Sequence, residues 1–357
     1  MKSEKFAAAI EILNSQFSIL NLNLYFCSEF MKNLMIIIVG MLLMAACGQS
    51  YEETKRIANE NRREAMRKDS AALKVAVLPT LDCLPLYVAE YYQLFDTIRG
   101  GVRLKRFTAQ MDCDTAMERG RVEGVVTDLV RAIRMQQRGT KLRYVTVTNA
   151  YWQLITNRNA RIHQLKQLDD KMVAMTRFSF TDMLTDRVID SVKLKEERVF
   201  KVQINDVNVR MLMLQNNEMD ALWMTEPQAS MARLMKHQMV YDSRTTKIQP
   251  GVIAFREKEM RHPERAKQLQ LFVKAYNQAC DSINKNGFKH YRDLIMRQCN
   301  VRKEVVDSLP DVKKNPYIYV QGPCQEDVTQ IEKWLAVVKA KRQETMGGKS
   351  ESSKKDK

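Results

Sequence analysis

The sequence lacks an apolar run long enough to cross a membrane. Its longest, residues 34–44, has eleven residues, where a hydrocarbon core needs about 20. No Cys-x-x-Cys occurs, and the four histidines (His163, His237, His262, His290) are scattered, so no zinc ligand set is present. The 22 methionines include no clustered Met-x-Met with a neighbouring histidine, so they read as core filling rather than as a copper surface. Neither a metal nor a cofactor is expected. The formal net charge is +16, and it belongs entirely to the chain after residue 47, because residues 1–47 hold three Lys and three Glu. Apolar residues make up 45%, enough for a buried core, and about 310 residues beyond Cys47 leave room for two domains of ordinary size.

What the short run does offer is a processing signal. Met44-Ala45-Ala46-Cys47 closes it, Lys32 precedes it, and the whole resembles a bacterial lipoprotein signal peptide. In that pattern the Cys is lipidated and becomes the new N-terminus, so residues 31–46 are expected to be removed and Cys47 to carry the membrane anchor. Met31 is the more natural initiator, and residues 1–30 read as over-annotation. An extracytoplasmic location removes nucleic acid as a partner for the basic surface. It leaves anionic headgroups, an anionic solute, or plain solvation. Five cysteines remain (Cys83, Cys113, Cys280, Cys299, Cys324). In an oxidising compartment Cys280 and Cys299 could close a loop worth about 3 kcal/mol, and the odd count leaves at least one thiol free.

Residues 49–70 are charged throughout and read as a partly helical tether, and the Gly/Ser/Lys-containing tail 341–357 as disordered. Between them, strands are expected at 74–78, 102–107, 122–126, 142–148, 152–156, 172–175, 200–204, 219–224 and 252–255, with helices alternating. That pattern specifies an α/β fold with mostly parallel sheets. A pseudo-repeat sharpens it. The segment 117–128 and the segment 214–226 align Gly120 with Asn217, each a residue that enters the left-handed region cheaply, as a helix C-cap requires. Each segment then runs through a buried strand into a polar pair, Thr127-Asp128 and Thr225-Glu226. Carboxyl ends of strands line the ligand crevice in open α/β sheets.

Four motifs in order carry a family likeness: Leu84 to Glu90 with Leu94-Phe95; Ala116 to Gly120 with Glu123-Gly124 and Asp128; Leu165 to Val173; and Asp220-Ala221 with Glu226-Pro227. Together they resemble a type II periplasmic solute-binding protein, nearest the nitrate, sulfonate, taurine and thiamine-precursor group. The resemblance implies two lobes, residues 71–157 plus 251–340 and residues 158–250, hinged near Asn157 and Pro250. It implies a monomer that closes on a small-molecule solute and passes it to an ABC permease. A binding protein rather than an enzyme is expected. Pyrimidine synthases on this fold need a Cys-rich motif and a pocket histidine, and one-component regulators need an upstream helix-turn-helix; the sequence offers neither. A sensing lipoprotein without an importer remains an alternative.

Three loops should face the cleft. Residues 79–83 bring Thr80, Asp82 and Cys83; residues 108–112 bring Thr108 and Gln110; residues 177–181 bring Arg177, Ser179 and Thr181. Ser179 or Thr181 could cap the following helix, whose free N–H groups beside Arg177 would suit a carboxylate, sulfonate or phosphate-like group. Asp82, Asp112 and Asp128 instead suit an amine-bearing heterocycle, and Asp128 has a second role open to it as an N-cap. Asn149 and Trp152 lie on the crossover and could meet a planar ligand. Trp223 reads as core. Glu226 either touches ligand or positions its turn, and Cys83 and Cys113 could pair, react or simply pack. For the anchor, palmitate labelling of the chain is expected and should vanish in Cys47→Ser; unlabelled protein that stays in the membrane with residues 1–47 intact would contradict it.

Overall fold

The computed structural model describes residue 35, residues 51–96 and residues 101–355; the rest of the signal segment, and Cys47, lie outside the described residues. The chain divides into two compact units, residues 1–67 and 68–357. Of the first, the described part after Met35 begins the helix Tyr51–Ala71, exposed along its length as a charged sequence without an apolar face demands. The second unit holds two five-stranded sheets.

The first sheet has the order β2-β1-β3-β10-β4, built from β1 (Leu73–Val77), β2 (Val102–Arg106), β3 (Gly124–Asp128), β4 (Leu142–Val147) and β10 (Gly251–Arg256). The second has the order β7-β6-β8-β5-β9, built from β5 (Gln153–Thr156), β6 (Lys171–Met175), β7 (Val199–Gln203), β8 (Ala221–Met224) and β9 (Gln238–Asp242). In each sheet four strands run one way and one, β10 or β5, is reversed. Each reversed strand is the first after a crossing between lobes. Each starts opposite the carboxyl end of the third strand, Gly251 against Asp128 and Gln153 against Met224. Strands β3 and β8 are continuously buried, and their unbroken apolar runs are what two covered faces require.

The pseudo-repeat is real in three dimensions. The helix Gln110–Glu118 enters β3 through Gly120 at φ 68°, and the helix Val207–Gln215 enters β8 through Asn217 at φ 59°. A Cβ on Gly120 would fall 2.3 Å from the Arg256 guanidinium, so glycine serves close approach there as well as the turn.

Three expectations are corrected. Residues 153–156 pair with β8 and β9, so the first crossing lies at 148–152 and the lobe boundary is not at Asn157. An apolar strand looks alike in either sheet, and only its partners decide which lobe owns it. The expected disulfide between Cys280 and Cys299 is absent: all five described cysteines are free thiols, four of them buried. Both residues sit on apolar helix faces, where a thiol packs as a small hydrophobe. The C-terminal segment is a helix, Gln325–Lys355, rather than a disordered tail; once its start is docked, each further residue adds a hydrogen bond. That helix contacts lobe two through Trp334 Nε1 to Asp186 Oδ2 (2.9 Å) and Arg187 Nη2 to Gln330 Oε1 (3.3 Å). It also packs on the lobe-one helix Leu129–Gln137.

The core of lobe one centres on Phe272, stacked on Phe95 and Tyr276 and edge-on to Phe255. At the crossing, a Cβ on Gly251 would meet Thr148 Oγ1 at 2.2 Å and Ala150 Cβ at 2.6 Å. Both neighbours are short and fixed. Gly251→Ala is therefore expected to lower unfolding free energy by about 1–3 kcal/mol, read by urea denaturation; an unchanged midpoint and slope would mean the crossing strands separate freely.

Candidate functional site

The carboxyl ends of β1, β2, β3, β6, β7 and β8 converge on a cavity of about 50 Å³ between the lobes. From lobe one come Thr80 and Asp82 after β1, Gln110 at the helix following β2, and Thr127 and Asp128 closing β3. From lobe two come Thr176, Ser179 and Thr181 after β6, Asn205 after β7, and Thr225 after β8; Trp152 enters from the crossing and Arg210 from the helix Val207–Gln215. Taking about 10–15 Å³ per water, the space holds about three to five water-sized groups. That is the extent of a small oxyanion.

Hydrogen bonds fix the lining. Ser179 Oγ caps the helix Phe180–Ser191 by accepting from Thr181 N at 3.1 Å, lies 2.8 Å from Thr181 Oγ1, and donates to Thr176 O at 2.7 Å. Gln110 Nε2 donates to Thr127 Oγ1 at 3.1 Å. Asp128 Oδ1 accepts from Arg131 N at 3.0 Å and, across the cleft, from Phe180 N at 3.2 Å. One carboxylate thus caps a helix in each lobe. Further interlobe bonds run from Leu81 N to Glu226 O (2.9 Å), from Gln228 Nε2 to Pro79 O (2.9 Å) and from Val207 N to Thr108 O (3.3 Å). The two lobes are thus in direct contact across the cleft.

Arg210 dominates the electrostatics. Its side chain is 6% exposed, and it donates from Nε to Ile204 O (2.8 Å), from Nη1 to Trp223 O (2.7 Å) and from Nη2 to Thr176 Oγ1 (2.6 Å). All three acceptors are neutral, and the described residues give it no ion pair. Burial and then the charge of Arg131 pull it down to about 10, so it remains a guanidinium at neutral pH. Burial pushes Asp128 up to about 6, with Arg131 opposing, and raises Asp82, with a Thr80 hydrogen bond opposing.

No protein-family model matches the chain, and no curated protein does either. Solved structures do. The alkanesulfonate-binding protein SsuA of Xanthomonas axonopodis pv. citri, bound to MOPS, matches with a TM-score of 0.66 at 15% identity, over 76% of this chain and 93% of that one. The periplasmic aliphatic sulphonate binding protein SsuA of Escherichia coli matches at 0.62 and 17%, over 76% and 87%. The fold is that of the type II periplasmic binding proteins. It also serves catalysis, since the desulfurization enzyme DSZB matches at 0.55 and 11%, over 73% of this chain and 89% of that one. Likeness at such identities speaks for the fold alone.

In this periplasmic-binding-protein fold, the sequence-derived candidates Thr80, Asp82, Gln110, Asp128, Trp152, Ser179 and Thr181 meet at the one cavity. Trp152 leans on Phe180 with ring centroids 5.5 Å apart. Asn149 and Glu226 instead line an adjoining cavity of about 20 Å³ that Asp82 also borders. Asn149 is clamped to Asn315 by reciprocal side-chain-to-carbonyl bonds of 3.2 and 2.9 Å. Glu226 holds its turn, accepting from Ser230 N (2.9 Å) and Arg233 Nη2 (2.7 Å). Three candidates lie off both cavities. Cys83 is core, its sulfur 3.7 Å from the Thr80 hydroxyl, and burial pushes its thiol and that of Cys113 up rather than down. Thr108 is exposed and uses only its carbonyl across the cleft, and Arg177 is exposed at a wider opening nearby. Asp112 does not line the cavity either. Trp223 is core as expected, its Nε1 donating to Thr185 Oγ1 at 2.8 Å.

Arg210, Thr176 and Asn205 escaped the sequence reading. A signal for Arg210 exists: an arginine in the first turn of a helix capped by Asp206 opposes the helix dipole, so something other than local stability holds it there. For Asp128, the folded value lies above that of a free carboxylate, so the folded chain keeps its proton longer than the unfolded chain does. Its contribution to stability is fully present in acid and falls as pH rises from about 4 to about 6. Asp128→Asn keeps the acceptor oxygen and removes that fall. Its stability relative to wild type should rise by on the order of 1–3 kcal/mol across this window in urea titrations. A constant difference would mean the carboxyl is solvated.

Proposed function

We propose that the chain is the lipid-anchored, extracytoplasmic solute-binding component of an ABC importer, and that it captures a compact oxyanion, of sulfonate or nitrate type, by closing two lobes. The observation that supports this most is Arg210: a buried guanidinium with neutral partners, beside a cavity lined by hydroxyls from both lobes. An anion there offsets an otherwise uncompensated charge in a low-dielectric site, where the interaction counts for far more than in water. Threonine hydroxyls from both lobes, Thr127 and Thr181 among them, complete the shell, as oxyanion lone pairs require. Closure is favoured only by the extra contacts the closed state makes with solute, and lobe-two groups such as Thr181 and Arg210 reach a lobe-one-bound anion only then.

The size of the cavity favours a nitrate or a sulfonate head over a pyrimidine ring. Asp82, whose carboxyl burial raises, faces the same space. An enzymatic reading draws no support from the cleft, where Cys83 and Cys113 are buried behind the lining with thiols pushed up. A catalytic thiol needs the opposite. Delivery to a permease and anchorage through Cys47 follow from the sequence reading.

A thermal-shift panel of sulfonates, nitrate and pyrimidines should yield a compound that raises Tm, with about 2.7 kcal/mol of added stability at 100 times its Kd. Arg210→Gln should lower the ligand-free Tm, because backbone acceptors lose donors, and should abolish the ligand-induced increment. Asp82→Asn and Thr181→Val should reduce that increment with little effect on the ligand-free Tm. An increment unchanged in Arg210→Gln, or no compound that shifts the wild type, would defeat the proposal.

A further inference from the structure

A chain of hydrogen bonds links two residues of the inner-cavity lining, Gln110 and Asp128. Gln110 Nε2 reaches Asp114 Oδ1 at 3.5 Å, Asp114 Oδ2 pairs with Arg131 Nη2, and Arg131 N donates to Asp128. Asp114 and Arg131 also line a second, wider cavity of about 460 Å³, to which both lobes contribute. Lobe one supplies three arginines, Arg131, Arg134 and Arg138, spaced by three and four along the helix Leu129–Gln137 and its C-cap, and therefore on one face. Lobe two supplies Arg177 and Phe178. Four guanidiniums stand against two carboxylates, Asp114 and Glu118.

Both carboxylates are already engaged, Asp114 by Arg131 and Glu118 by Arg138 Nε at 2.7 Å. Arg131 is 5% exposed, yet its Nε–H has no hydrogen-bond partner. Phe178 adopts φ 55°, a conformation rare for an aromatic residue. Its N–H is held by Asp182 Oδ2 at 2.8 Å, and its ring lies under the Arg134 guanidinium, 3.7 Å from the centroid. Backbone strain is here coupled to a contact across the lobe boundary. Neighbouring Arg177 is exposed and makes no ion pair among the described residues. Contact between the lobes therefore brings Arg177 against the arginine face of the helix Leu129–Gln137.

We propose that this vestibule is a second anion site, taking an oxyanion between Arg177 of lobe two and Arg131 and Arg138 of lobe one and thereby holding the lobes closed. Guanidinium forks match oxyanions in geometry, and the bound charge relieves the repulsion that closure creates. The inference rests on the closing motion proposed above, not on the identity of the inner solute. The oxyanion is either a free inorganic ion or a second anionic group of a solute whose head occupies the inner cavity.

The test uses the full chain, melted in sodium phosphate against sodium chloride at matched ionic strength. For a free ion, phosphate should raise Tm saturably in wild type and in Arg210→Gln. The apparent affinity should fall about tenfold in Arg177→Gln and again in Arg138→Gln. Both substituted side chains are exposed, so the ligand-free Tm should hold. For a second group of the solute, phosphate should do nothing, while ethane-1,2-disulfonate should bind more tightly than ethanesulfonate, a gain lost in Arg177→Gln. If neither the phosphate response nor the disulfonate gain depends on Arg177 and Arg138, the vestibule is not a site. Loss of solute binding in Arg210→Gln is scored separately, so the inner-site reading can fail while this one stands.

Discussion

Each sheet is completed by a strand that arrives from the other lobe. Strand β10 lies between β3 and β4, and β5 lies between β8 and β9; lobe two's strands follow one another in the chain, whereas lobe one's sheet is whole only once the chain has left and returned. Backbone groups in a sheet interior must be paired, and in lobe one that pairing depends on both crossings. The crossings are consequently tight. Gly251 meets residues 148–150 so closely that no side chain fits. Everything at the cleft follows from this geometry, because it points the carboxyl ends of both sets of parallel strands at each other.

What faces across that gap is electrostatically unbalanced. Arg210 is desolvated and bonded only to neutral acceptors, while Asp128 gives one oxygen to helix N-termini in both lobes. The first arrangement leaves a buried guanidinium with no ion pair among the described residues. The second joins the lobes through a single carboxyl that burial pushes up to about 6. Wider out, the arginine face of the helix Leu129–Gln137 meets Arg177 and the strained Phe178.

Much of the fold was legible because its signals are local. Alternating strand and helix patterns, the Gly120 and Asn217 turns, and the continuous apolar runs of β3 and β8 each depend on a few adjacent residues. Most of the cavity lining was legible for the same reason, since residues after parallel strands face the crevice in such sheets. The failures were non-local. Residues 153–156 look like any buried strand, and which sheet takes them depends on partners 65 or more residues away. Cys280 and Cys299 suit a disulfide by spacing but pack into apolar surroundings as thiols.

The sequence by itself determined the elements, their order, the internal duplication and the positive charge, because propensity, periodicity and composition act within a turn or a strand. Tertiary structure decided that Arg210 is buried without a counter-charge, that Asp128 serves two helices, and that Arg177 belongs to a vestibule rather than the inner cavity. Burial and pairing are properties of what surrounds a group, and for these residues the surroundings come from elements distant in the chain: Thr176 and Trp223 for Arg210, Phe180 for Asp128, and the helix Leu129–Gln137 for Arg177.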